Sequence, residues 1–116
     1  MIHKLILQGS VPSKKNLYRR GKNGGMYIDK NTAALIDNLV SQAYEQRNFK
    51  TLDKAEITFT VYCADKRGDL DNMVTTLFDV LVTSKCIPND NPNHVTDFHA
   101  YWKPSTQERA VIELEY

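Results

Sequence analysis

The sequence predicts an α/β (α+β) single domain in the order β-α-β-α-β-β, a mixed sheet with helices packed on it and a C-terminal hairpin. Three observations carry this expectation. Four segments, "IHKLILQG", "KAEITFTVYCA", "HVTDFHAYWK" and "ERAVIELEY", are rich in β-branched or aromatic residues in alternation. Two others, "TAALIDNLVSQAYEQRN" and the run from about Asp71 to Val82, place apolar residues at helical spacing. At 116 residues the chain can enclose one hydrophobic core.

The first strand ends at Gly9. The basic segment at about 10–28, "SVPSKKNLYRRGKNGGMYID", holds a proline and three glycines and has no helical period. It reads as a long loop with a short hairpin about "KNGG", and so long a loop in a small domain usually carries function. The first helix starts at Asp29 or Asn31 and presents Leu35, Leu39 and Ala43 on one face. After the second strand, "DKRG" turns the chain and Gly68 breaks regular structure. The second helix leads past Cys86 to Pro88 and the turn-rich "NDNPN". "PSTQ" joins the last two strands.

No apolar run approaches the roughly 18 residues needed to span a membrane. The start, "MIHKLILQGS", is too short and mixed for a secretion signal, so the expected location is the cytoplasm. Cys63 and Cys86 lack the paired spacing of a zinc site and read as buried, reduced thiols. The net charge of +1 hides a segregation. Residues 1–30 hold seven basic residues against Asp29 alone, net +6, and the rest is net −5. A basic arm on an acidic body suits a protein that grips a polyanion and keeps its carboxylates for other work.

Those carboxylates gather at "RGDLDNMVTTLFDVL", Arg67 to Leu81. Asp71 or Asn72 serves as a helix N-cap, whose side-chain oxygen accepts bonds from free first-turn amides. A helix has one such position, so the cap leaves Asp69 unexplained. Two acids at one strand-to-helix bend repel unless a cation lies between them, and hard divalent ions take oxygen ligands of this kind. Met73 stands where a calcium-loop ligand would be needed, which excludes an EF-hand. Asp90 is a third candidate. A helix of about 12 residues carries the chain about 18 Å away, and the following residues, 83–90, span at most about 26–29 Å. Asp90 rejoins Asp69 and Asp71 only if that connection runs back along the helix.

With "RGDLDN", "TLFDVL" bearing Asp79, "PNDNPNHV", "GSVPSKKNLYRR" and "VTDFHAYWK" on the page, the chain resembles the RusA family of Holliday junction resolvases. These are homodimeric endonucleases often encoded in prophages. The resemblance spans nearly the whole chain. It implies a Mg2+-dependent (or Mn2+-dependent) endodeoxyribonuclease that cuts four-way DNA junctions in recombination and repair, nucleoid-associated when bound. By resemblance, Asp69, Asp71 and Asp90 are the catalytic, metal-binding acids. Lys14, Lys15, Asn16, Tyr18, Arg19, Arg20 and Arg67 then hold branched DNA. A homodimer supplies two cuts by symmetry, its interface formed by apolar helix faces.

The chain departs from the family pattern twice. Thr75 stands where the family has a lysine, a role left to Lys66, Arg67 or Lys85. The family's Asp-Asp pair is reduced to Asn89-Asp90. A catalytically impaired junction-binding protein is therefore the alternative, and a module unrelated to nucleic acid, with "DLDN" as a plain cap, is a third. His94 and His99 read as structural, Asp37, Asp79 and Asp97 as surface or capping residues, Trp102 as core and Tyr101 as an interface residue.

Overall fold

The computed structural model describes residues 1–13, 18–22, 24–64 and 70–116, with Arg19 described by its backbone alone. The elements are β1 (Ile2–Gln8), β2 (Tyr18–Arg20), β3 (Met26–Ile28), α1 (Lys30–Gln46), β4 (Ala55–Cys63), α2 (Leu70–Thr83), β5 (Val95–Pro104) and β6 (Arg109–Glu115). Four strands form a mixed sheet in the order β1-β6-β4-β5, parallel between β4 and β5 and antiparallel elsewhere. The expected α+β domain is present, with β2 and β3 added as a separate two-stranded ribbon around "KNGG".

Strand alternation explains how the layers form. On β4, Ala55, Ile57, Phe59, Val61 and Cys63 are all buried while the residues between them are not. Leu5 and Leu7 on β1, and Ala110, Ile112 and Leu114 on β6, continue that inward face. Leu39 and Ala43 of α1 and Met73, Val74, Leu77, Phe78, Val80 and Leu81 of α2 cover it. An edge-to-face aromatic chain ties the layers, Phe59 to Phe78 at 4.9 Å and Phe78 to Phe98 at 5.2 Å between centroids. Each such contact adds about 0.5–1.5 kcal/mol beyond area burial.

α1 begins where expected, since Asp29 Oδ1 accepts from the Thr32 amide at 3.0 Å. Its buried face is Thr32, Leu39 and Ala43 with Ile36 and Val40 alongside, and Leu35 is 38% exposed, outside the expected stripe. α2 begins at Leu70, so Asp71 and Asn72 lie in the first turn and neither occupies the cap position expected for one of them.

The last two strands run antiparallel, as a hairpin would, but not as neighbours. β4 lies between them, bonded to β5 on one side and β6 on the other. The link from Ser105 to Glu108 passes over the end of β4, where the Ser105 amide donates to the Cys63 carbonyl. The apolar inward row of β4 is the longest in the sheet, and placing it centrally buries it best. Both cysteines are buried. Trp102 is half-buried and donates its Nε1–H to Cys63 Sγ at 3.1 Å, while Tyr101 is 52% exposed. No helix among the described residues is long and apolar enough to cross a membrane.

Candidate nucleic-acid interface

The basic arm leaves β1 through Gly9, whose φ of 110° is a turn that glycine adopts without strain. Its root is docked. Thr76, 1% exposed on the second turn of α2, donates its hydroxyl to the Pro12 carbonyl at 2.8 Å and lies 3.1 Å from the Asn72 carbonyl. The chain therefore enters the arm about one helical turn from Asp71.

Lys14, Lys15 and Asn16 lie outside the described residues. The chain reappears as the ribbon, with Tyr18 opposite Ile28, Arg19 opposite Tyr27 and Arg20 opposite Met26. The Gly21 amide donates to the Gly25 carbonyl at 2.7 Å, and Gly24, at φ 80°, closes the turn. Tyr18, Arg20, Lys22, Met26, Tyr27 and Ile28 are all exposed. A ribbon exposed along its length gains little from the core, and a two-stranded hairpin alone is marginal in water. Its firm attachment is Asp29, which follows Ile28 and caps α1. Aromatic rings interleaved with cations can stack on bases or sugars while pairing with phosphates. The apolar triplet Met26, Tyr27 and Ile28 was not singled out by sequence reading. Its signal was there, in a strand-forming triplet after two glycines with no apolar partner segment nearby.

Of the three expected carboxylates, Asp71 and Asp90 are described. Asp71 is exposed in the first turn of α2, where its charge complements the helix dipole. Asp69 and Arg67 lie outside the described residues. Asp90 is exposed at the opposite end of α2. Lys85 closes that helix with φ 64°, the Lys85 amide bonding the Val82 carbonyl and the Cys86 amide bonding the Leu81 carbonyl. This is the Schellman arrangement, here with a lysine at the position glycine usually fills. The cap turns the chain away, Cys86 and Ile87 are buried, and the Leu52 amide donates to the Cys86 carbonyl at 2.9 Å. From there the chain goes directly to the start of β5, where the His94 and Val95 amides both bond the Asn91 carbonyl. The connection does not run back along the helix, and Asp71 stands roughly 15 Å of helix rise from Leu81, with Asp90 beyond that end.

Within one chain Asp71 and Asp90 therefore stand at opposite ends of α2, and among the described residues, which do not include Asp69, no three metal-ligating side chains gather. The corner that holds Asp71 suits a different donor set. Mg2+ commonly takes one or two carboxylates and fills its octahedron with water and phosphate oxygens. Thr75, exposed, donates its hydroxyl to the Asp71 carbonyl at 3.0 Å and offers no positive charge. Lys85 stands at the far end of α2 from this corner, and Lys66 lies outside the described residues.

The histidines have local partners. His94 Nδ1 is 2.7 Å from the Asp53 carbonyl, tying the turn to the start of β4. His99 Nε2 is 3.2 Å from Asp97 Oδ2, both exposed on β5. No description of a known protein family matches the sequence, and no curated protein is detectably similar to it.

Proposed function

We propose that this protein is a structure-specific endodeoxyribonuclease that binds branched DNA, as a homodimer, and hydrolyses it with Mg2+ or Mn2+. The observation that carries the reading is the Thr76 bond to the Pro12 carbonyl. It roots the phosphate-gripping segment beside the carboxylate corner, so DNA held by the arm passes near Asp71. The resemblance of "RGDLDN" and "GSVPSKKNLYRR" to the resolvase pattern supports it, as does the exposed basic, aromatic ribbon. Asp69 and Asp71 are the acids of one chain that stand beside the arm for a divalent ion, and Asp90 could join them only from the second copy of a homodimer. Such an ion supplies positive charge to the scissile phosphate and a more acidic water. The chain's own contribution is positioning, through arm cations on flanking phosphates and Tyr18 against sugar or base.

A second reading, a junction binder that does not cut, is favoured by the remote Asp90 and by Thr75 in place of a lysine. The test is cleavage of a mobile four-way junction with Mg2+ or Mn2+, comparing wild type with Asp71→Asn. Cutting abolished by the substitution supports the enzyme. Tight junction binding with no cutting by either protein establishes the binder. For both, Arg20→Ala should weaken binding equally across sequences and lower the log–log salt slope by about 1. Binding indifferent to salt would remove the nucleic-acid reading altogether.

A further inference from the structure

The two edges of the sheet are treated differently. On β1, the outward backbone is occupied by glutamines of α1. The Ile6 amide donates to Gln46 Oε1 at 2.8 Å and the Ile6 carbonyl accepts from Gln46 Nε2 at 2.7 Å. Gln42 does the same for Gln8, at 2.7 Å and 2.8 Å. The spacings match, since four residues of helix rise about 6.0 Å and two of strand about 6.7 Å. Each amide thus replaces one pair of bonds that a neighbouring strand would make, and the edge from Ile6 to Gln8 is closed to pairing.

The other edge is β5, and among the described residues no element pairs with its outer side. The strand carries exposed Phe98 and Tyr101. A register shift at its start, where Ala55 pairs with Val95 but Glu56 with Asp97, interrupts the ladder at Thr96. Pro104, which has no amide to donate, ends it. Between these lies a regular run from Asp97 to Lys103 with Ala100 at its centre. Phe98, Ala100 and Trp102 share the helix-covered face with Ile57, Phe59 and Val61, and Asp97, His99, Tyr101 and Lys103 share the open face.

We propose that a second copy of this chain docks on β5, strand to strand and antiparallel, with the two-fold axis at Ala100. It specifies the dimer that the functional reading above asks for and rests on that reading only for its purpose. A two-fold normal to the sheet keeps each face on its own side, so paired residue numbers must sum to an even value. Centring on Ala100 sets Asp97 opposite Lys103 of the partner subunit, and the reverse pair by symmetry. Phe98 meets the partner's Trp102, and His99 meets the partner's Tyr101. Both charge pairs are complementary, four further pairs join two rings, and Ala100 meets itself on the axis. Moving the axis by one residue sets His99 against itself or against the partner's Lys103, and each Asp97 loses its cation.

The test is sedimentation equilibrium of the full chain, which reads assembly independently of DNA cleavage. The expected mass is twice the 13.3 kDa of the chain. Lys103→Asp, which sets like charges in two cross-strand pairs, should weaken the dimer by about tenfold. Asp97→Lys combined with Lys103→Asp should restore it, because only the sign order is exchanged. Ala100→Cys should form a disulfide-linked dimer on mild oxidation. Both charged residues are exposed, and far-UV circular dichroism spectra matching the wild type confirm that the variants fold. A monomer at every attainable concentration overturns the proposal, as does a dimer indifferent to Lys103→Asp. A charge-sensitive dimer that cuts no junction leaves the seam standing and overturns the nuclease reading alone.

Discussion

Thr76→Val is the substitution that most directly tests whether α2 positions the basic arm. Valine keeps the shape of threonine and its helix preference but removes the hydroxyl. Thr76 is 1% exposed, and its hydroxyl bonds the Pro12 carbonyl at 2.8 Å. The variant loses one net hydrogen bond and leaves a half-buried carbonyl without its donor. The expected cost is about 1–2 kcal/mol, the lower part of the range for an orphaned group because water can partly reach Pro12. For a domain of this size that lowers Tm by roughly 4–8 °C. Thr75→Val is the control. Its exposed hydroxyl bonds only the Asp71 carbonyl of the same helix, and its loss should cost under about 0.5 kcal/mol. Urea denaturation of the two variants with a common m-value measures the difference. Equal stabilities would refute the claim that Thr76 anchors the arm. A destabilised Thr76→Val with unchanged junction affinity would refute the link from anchor to DNA grip.

Three further outcomes are expected. Lys85→Gly should raise stability by about 0.5–1 kcal/mol in urea, because glycine relieves the left-handed backbone at φ 64°, whereas Lys85→Ala should not. Gln42→Ala combined with Gln46→Ala should lower stability and promote sheet-edge association, seen as light scattering after mild heating, since β1 then presents free amides and carbonyls. Burial pushes the Cys86 thiol above its ordinary value of 9.0, opposed by the Ser84 hydrogen bond and the Arg47 charge. The unfolded thiol therefore ionises first as pH rises, so stability present below about pH 9 should fall above it. Cys86→Ala should flatten that part of the urea midpoint–pH curve.

The element order and most boundaries were legible in the chain because local rules agree with the global fold. Alternation in "EITFTVY" specifies a one-faced strand, Asp29 starts α1, and Gly24 closes the turn of the ribbon. The charge split between arm and body was equally plain, since it needs only counting. Strand order was not legible. Nothing in "PSTQ" says that β4 will stand between β5 and β6, because that depends on which strand buries most when central. The carboxylate set was not legible either. "DLDN" announces a corner, and spacing alone allowed Asp90 to return to it. The left-handed cap at Lys85 and the buried pair Cys86–Ile87 send the chain to β5 instead. The sequence by itself determined the elements, their faces and the chemistry offered at the arm and at Asp71. The tertiary structure alone decided which ends of those elements meet, because a helix separates its two ends by its full rise whatever residues they carry.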